Sequence, residues 1–451
     1  MSVVGLATLV AALALAPAAG RSAARAGWRT DDLNIVFVIL DAARASDFGA
    51  YGAPRDTTPN IDAFARESTL FERAYAQSAW TLPSSASFMT GTYPPRRTTE
   101  RSHVSTTTIA TLLHDVGYAT AGFSENPYVT GEFGFAQGFT SFREYEPWES
   151  YKRVENSYTH PDTVRSIDDV VAWIKASSGQ GRFFAYLHLL RPHCPYDPPP
   201  PFSGRFDQGY SGKLDGSVET LRKINRGALV ATDRDLTHLR DLYDENLAFG
   251  DREVGRLLAA LRSLELDDRT IVIVAADHGE AFREHGRMLH TTTVYEEMVH
   301  VPLVVHFPRR FGDLPHRWSG VVELRSLLPT IRDALGLEPA ANDAPSLLRV
   351  MRGNAGEGFA LIRTIDASKR PLAAVVGERY KLIQGSRIGS TFLYDLDSDP
   401  GEKHDVSGSN RPLVLHMRAL LRTAEASVPS GGGRQLRPET EQKLRALGYA
   451  D

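Results

Sequence analysis

Asp41, Thr81 and the adjoining pair Asp277-His278 are the residues of this chain whose types could do chemistry together. Two carboxylates and an imidazole can hold a divalent cation, and a hydroxyl in the same shell loses its proton far more readily than a free alcohol. The alkoxide so formed is useful against phosphorus or sulfur in an ester, where attack leaves a phosphorylated or sulfated side chain as a covalent intermediate. Taken one at a time, the residues are weak signals. An acid at a strand end often caps the next helix, and Thr81 and Ser84 around Pro83 could be ordinary capping hydroxyls.

Position lifts them above that. Asp41 follows Asn34-Ile-Val-Phe-Val-Ile-Leu40 and Asp277 follows Thr270-Ile-Val-Ile-Val-Ala-Ala276, β-branched runs that read as buried parallel strands. Both acids then stand at strand C-terminal ends, where open α/β sheets build their sites. Beyond residue 33, apolar runs alternate with amphipathic stretches, the rhythm of stacked βα units. Residues 58–67, opened by Pro59, and 107–117, ended by Gly117, have helical spacing. Residues 118–123, 183–189 and 302–307 read as strands, and 240–263 as an amphipathic helix leading to the Asp277 strand. Small residues at 339–346 mark a linker, after which 372–376, 380–384 and 392–396 read as strands of a smaller sheet, with a helix at 412–426.

At 451 residues, with 42% hydrophobic and 24% charged, the chain can bury a large core and is long for one domain, which fits a large α/β domain plus a small addition. A net charge of −4 gives no reason to expect nucleic acid, so an anionic substrate must be held by local groups. The single cysteine, Cys194, cannot make an internal disulfide and reads as a packed thiol. Residues 3–19 are apolar and uncharged and precede Gly20-Arg-Ser-Ala-Ala-Arg25, which reads as an export signal to the periplasm or beyond. No Lys or Arg precedes that stretch, so an uncleaved membrane anchor is the alternative. The expected organisation is a leader or anchor at 1–33, a catalytic domain at 34–340, a C-terminal subdomain at 341–428 and a tail at 429–451.

Several further stretches stand in the same order as in a known family. They include Tyr51-Gly52, Thr58-Pro-Asn-Ile-Asp62, residues 80–91 with Tyr93-Pro94, Arg191-Pro-His-Cys-Pro-Tyr-Asp-Pro-Pro199, Asp277-His-Gly-Glu280 with Glu284-His-Gly286, and Tyr295-Glu-Glu297. Near the end come Tyr380-Lys-Leu-Ile383, Leu393-Tyr-Asp-Leu396, Asp399-Pro400 and Leu444-Arg-Ala-Leu-Gly-Tyr449. On these the chain resembles the sulfatase-like branch of the alkaline phosphatase superfamily, from Asn34 to Tyr449. The resemblance implies an α/β fold with a large mixed, mostly parallel central sheet flanked by helices, plus a small C-terminal sheet-and-helix subdomain. It also implies one divalent metal, with Asp41, Thr81, Asp277 and His278 around it.

The chain departs from formylglycine-dependent sulfatases where they carry Cys-x-Pro-Ser-Arg, because it has Thr81-Leu-Pro-Ser-Ser85, and no formylglycine is expected. Where those enzymes tend to carry two adjacent acids it has Asp41-Ala42. Thr at the nucleophile position is similar to the transferases of phosphoethanolamine or glycerol phosphate and to nucleotide and phosphonate diesterases. In the phosphoethanolamine transferases, two His five residues apart and a third thirteen after the metal-binding Asp help bind phosphate; His188 with His193, and Asp277 with His290, keep those spacings.

The expected roles follow. Thr81 is the nucleophile, His193 and His290 act on the ester oxygens and leaving group, and His188, Asn126 and Arg44 are substrate contacts. His188 also reads as a core histidine within an apolar strand, Asn126 as a turn residue and Arg44 as a solvated helix residue. Two carboxylates and an imidazole suit Zn or Mn, with Ca or Mg also compatible. The expected activity is a metal-dependent hydrolase of a sulfate or phosphate ester of a small molecule, glycan or lipid, acting through Thr81. The alternatives are a transferase acting on envelope glycan or lipid, and a catalytically silent binder of such glycans.

Overall fold

The computed structural model describes residues 32–95, 102–145, 161–207, 209–340, 344–353, 358–366, 368–385, 390–429, 436–438 and 440. Residues 1–31 of the expected leader and most of the tail lie outside them.

Ten strands come first in chain order: β1 (Asn34–Asp41), β2 (Thr69–Tyr75), β3 (Ala119–Ser124), β4 (Ser141–Glu144), β5 (Phe183–Pro192), β6 (Thr270–Ala276), β7 (Ala281–Phe282), β8 (Met288–Leu289), β9 (Leu303–His306) and β10 (Arg317–Glu323). Eight of them form one sheet in the order β10-β2-β9-β6-β1-β5-β3-β4, in which β9 pairs antiparallel with both neighbours and the other pairs are parallel. This is the mixed, mostly parallel sheet that the resemblance implies. Every residue of β1, β5 and β6 is buried, as a strand covered on both faces by helices requires.

Register decides what meets at the C-terminal edge. Leu40 pairs with Ala276 on one side and Leu189 on the other, and a shift after Leu40 then sets Asp41 against Pro192. Asp41, Asp277 and the turn after β5 therefore share that edge. His188 pairs with Ile39 of β1 and Ser124 of β3, so it lies directly beneath it.

The helix Thr81–Thr90 packs on the centre of this sheet, with the Phe88 ring edge-on to Phe37 of β1 at 5.3 Å between centroids. An aromatic pair of this kind adds about 0.5–1.5 kcal/mol to the burial of its rings. Pro83 is tolerated because N–H groups in the first turn have no partner within the helix. Gly91 ends the helix at φ +69°, a left-handed position that glycine occupies without strain.

The helix Asp233–Ser263 starts seven residues before the expected 240, because Thr232 and Asp235 form a reciprocal capping box that the apolar spacing does not show. The other expected helices and strands fall within a few residues of their places. Strands β2, β4 and β10 were not visible in the pattern, since Glu72 and Arg73 interrupt β2, β4 is largely exposed, and β10 is buried only over its last three residues.

The C-terminal part is an antiparallel meander of β11 (Ala360–Ile365), β12 (Pro371–Val376), β13 (Tyr380–Gly385) and β14 (Thr391–Asp395). Alternation along its strands gives it two apolar faces. Leu361, Val375, Leu382 and Leu393 pack under Val414, Met417 and Leu421 of the helix Arg411–Ala426. Ala360, Ile362, Ala374 and Val376 pack on Tyr75, Met298 and Val299 of the main body. Lys381, wholly buried, pins this junction through Glu296 at 2.9 Å and Glu402 at 3.1 Å. Among the described residues, no helix is long and apolar enough to cross a membrane.

Candidate active site

The two strand-end acids are wholly buried and close to each other. Asp277 Oδ1 accepts the backbone N–H of Ala42 at 3.2 Å and of His278 at 3.0 Å, so Asp277 is tied to the end of β1. Burial and the charge of Asp41 push Asp277 up to about 8. Asp41 goes the other way: although burial disfavours its charge, His193, His188 and His278 hold it well below the usual carboxylate range. Two carboxylates this close do not both ionise without a cation.

Three buried atoms here make no hydrogen bond: Asp41 Oδ1, Asp277 Oδ2 and His188 Nε2. One donor atom from each of Asp41, His188 and Asp277 lies within 4.8 Å of the others. Leaving each unsatisfied costs about 1–3 kcal/mol, and more for a charge. A divalent cation would satisfy all three, so the donor set fits one. The His278 Nε2 atom also reaches both acids, at 3.4 Å from Asp41 Oδ1 and 3.5 Å from Asp277 Oδ2.

Four imidazoles surround the acids, and all four engage Nδ1 elsewhere. His278 Nδ1 donates to the Gly279 carbonyl at 2.8 Å, His193 Nδ1 to the Cys194 carbonyl at 2.5 Å. His188 Nδ1 meets the Tyr186 hydroxyl at 2.9 Å and His290 Nδ1 meets Glu280 Oε1 at 3.1 Å. The two carbonyls and the carboxylate accept from Nδ1 and so fix those three tautomers, and in all four rings Nε2 is left for the site. The His290 ring stacks obliquely against His278 and His193, at 4.5 and 4.9 Å between centroids. Burial pushes His193, His278 and His290 each down to about 4, which favours the neutral imidazole at pH 7. Burial raises Glu280 to about 7.

Thr81 is the first residue of its helix, after Trp80 in extended conformation. Its Oγ1 lies 3.2 Å from His278 Nε2 and 3.4 Å from Asn126 Nδ2. The helix is tied to the β6 end by Ser84, whose hydroxyl donates to the Asp277 carbonyl at 2.5 Å. Partial positive charge at a helix N-terminus favours a deprotonated Thr81 and an anion beside it.

Asn126 is drawn into the same cluster. Its Oδ1 accepts the Tyr128 N–H at 2.7 Å, which orients the amide and turns Nδ2 toward Asp41 Oδ2, with which it forms a hydrogen bond. Arg44 is not drawn in. Its guanidinium pairs with Glu284 at 2.5 Å and lies 3.6 Å from Asp47, and the residue is buried rather than solvated. The sequence reading missed Glu280 as a site residue, although it stands two places after His278.

Comparison with known proteins agrees with this architecture. A sulfatase family profile matches residues 33–337. Human iduronate 2-sulfatase is 26% identical over 402 residues, covering 70% of this chain and 71% of that protein. The Delta 4,5-hexuronate-2-O-sulfatase of Bacteroides thetaiotaomicron is 24% identical over 433 residues, covering 86% and 88%. Among solved structures, a phosphonate monoester hydrolase of Agrobacterium radiobacter superposes with a TM-score of 0.72 at 21% identity, over 90% of this chain and 100% of that one, a likeness of fold.

Proposed function

The chain belongs to the sulfatase family of hydrolases, and from that premise we propose that it cleaves a sulfate or phosphate ester, with a divalent metal ion, through a covalent intermediate on Thr81. The observation that carries the reading is the meeting of Thr81, at a helix N-terminus, with buried acids and imidazoles whose Asp41, His188 and Asp277 donor atoms lack partners.

Asp41, Asp277, His278 and His188 would hold the ion, and two carboxylates with two imidazoles suit Zn or Mn. Asp41, Asp277 and His278 are the ligands that the resemblance implies, and the unpartnered Nε2 of His188 adds one it does not. When bound, the ion supplies positive charge that favours the Thr81 alkoxide and offsets charge on a non-bridging ester oxygen.

The remaining steps belong to the chain itself. Asn126 Nδ2, 3.4 Å from Thr81 Oγ1, orients the nucleophile. His193 and His290 present Nε2 to the ester oxygens. An anionic ester raises their pKa by its charge, so the imidazoles become donors as the substrate enters. Thr81 Oγ1 forms the bond to phosphorus or sulfur, the ester oxygen leaves, and the proton of His290 Nε2 goes to it. Water then attacks, giving its proton back to His290 Nε2 and releasing Thr81.

The relatives named above act on iduronate and hexuronate sulfates, which favours a glycan ester as substrate, met outside the cytoplasm if residues 3–19 direct export. Thr81 in place of an oxidisable Cys, and the absence of the Arg at Ser85, favour phosphoryl over sulfuryl transfer. The test is hydrolysis of an aryl sulfate, an aryl phosphate and a bis-aryl phosphodiester by metal-loaded and metal-stripped protein, beside Thr81→Ala. Metal-dependent turnover lost in the variant is expected. Turnover that survives in it would refute the reading.

A further inference from the structure

Glu280 is wholly buried beside the imidazoles yet belongs neither to the atoms that would hold the ion nor to those that face the ester. We propose that Glu280 is a positioning residue for His290, fixing the imidazole so that Nε2 points at the leaving group. The inference rests on the Thr81 hydrolase reading.

Three observations support it. The first is register. In the short hairpin, Ala281 pairs with Leu289 and Phe282 with Met288, so Glu280 and His290 are the next cross-strand couple at its open end. Their contact at 3.1 Å between Oε1 and Nδ1 is thus built into the strands.

The second is chemical contrast. His278 and His193 rest Nδ1 on backbone carbonyls and His188 on a tyrosine hydroxyl, all neutral groups. His290 alone of the four is backed by a carboxylate. A carboxylate behind Nδ1 fixes the tautomer and stabilises the imidazolium, which a residue that must hand a proton to a leaving oxygen needs. Burying a carboxylate otherwise costs several kcal/mol, so its presence opposite an imidazole calls for a return.

The third is the backbone around His290. Leu289 and Thr291 both lie in the left-handed region, at φ 66° and 92°, which is unfavourable for residues with a Cβ. The segment is held in place from outside: Thr291 N–H donates to the Ala79 carbonyl at 2.8 Å, two residues before Thr81, and Thr364 of β11 donates to the Thr291 carbonyl. These bonds set where the His290 backbone sits relative to Thr81. They do not set the ring's rotation about its side-chain bonds. Glu280 does that.

In the first half-reaction the Thr81 oxygen–phosphorus bond forms, the ester bond breaks, and the His290 Nε2 proton moves to the departing oxygen while Nδ1–H stays on Glu280. In the second, water supplies the proton that restores Nε2–H. Glu280 exchanges no proton with substrate.

The test compares wild type, Glu280→Gln, His290→Ala and the double variant on a phenyl and a 4-nitrophenyl ester of one acid, metal-loaded throughout. Nitrophenolate leaves without a proton. Glu280→Gln is expected to lose at least about 30-fold in kcat/KM on the phenyl ester but under about 3-fold on the nitrophenyl ester. The double variant should be no slower than His290→Ala. Equal losses on both esters, or additive losses in the double variant, would overturn the proposal. Thr81→Ala measured alongside separates the two readings: activity that survives there refutes the nucleophile, whatever Glu280 does. A crystal structure of Glu280→Ala probes the positioning without any need for turnover. The His290 ring should rotate away from Thr81, and a ring left in place would sink the idea.

Discussion

Replacing Asp277 by Asn tests whether the paired carboxylates are an ion site kept at a cost to the fold. Burial and Asp41 push Asp277 up to about 8 from an ordinary value of 3.8. Its folded pKa lies above its unfolded one, so the folded state binds the extra proton, and stability falls as pH rises from about 4 through about 8. At pH 7 the difference is about three pH units at 1.36 kcal/mol each, which bounds the cost at about 4 kcal/mol. Asn removes the charge and keeps an oxygen for the Ala42 and His278 N–H donors. We therefore expect Asp277→Asn in chelator at pH 7 to be more stable than wild type by about 1–3 kcal/mol, since the interior relaxes around a lone charge. In a chain this long that is a rise in Tm of a few degrees at most, measurable by scanning calorimetry. The gap should narrow at pH 5 and widen at pH 8. With Mn or Zn at about 1,000 times its Kd, wild type gains about 4.1 kcal/mol that the variant lacks, and the order reverses. A variant less stable in chelator, or a wild type indifferent to both ions, would refute the reasoning.

Two other perturbations probe neighbouring parts of the structure. His188→Leu removes one donor atom from the ion site and should weaken metal affinity in isothermal titration by at least the roughly 10–100-fold that loss of a residue behind a ligand costs; unchanged affinity would return His188 to the role of a core histidine. Lys381→Met leaves Glu296 and Glu402 facing each other in the interior and should cost about 3–5 kcal/mol in urea unfolding. A loss under about 1 kcal/mol would mean that the apolar contacts of the small sheet hold the junction alone.

How much could be read from the sequence varied with how local the signal was. Asp41 and Asp277 were legible because each ends a β-branched run whose burial needs no partner to be recognised. The helix at Thr81 was less visible. Trp80 provides no side-chain cap, and Pro83 together with two serines reads equally well as a turn. His188 sits in an all-apolar strand, and only its register against Ile39 and Ser124 brings it under the acids. Arg44 follows Asp41 by three residues, yet Glu284 and Asp47, supplied by distant loop and neighbouring turn, turn it aside. Glu280 depends on a hairpin of two-residue strands, too short to leave a periodic trace. Contacts made by tertiary structure, rather than by spacing along the chain, account for the gaps at His188, Arg44 and Glu280.

The central claim is a covalent bond between Thr81 and the transferred group, and trapping it is the most direct measurement. Metal-loaded protein is mixed with an aryl phosphate or sulfate that it turns over, quenched in acid within the first turnover, digested, and mapped by mass spectrometry. One phosphoryl or sulfuryl group on the peptide containing Thr81, absent from metal-stripped protein and from Thr81→Ala, is the predicted result. Turnover with that peptide unmodified, or with the group on another residue, would contradict it.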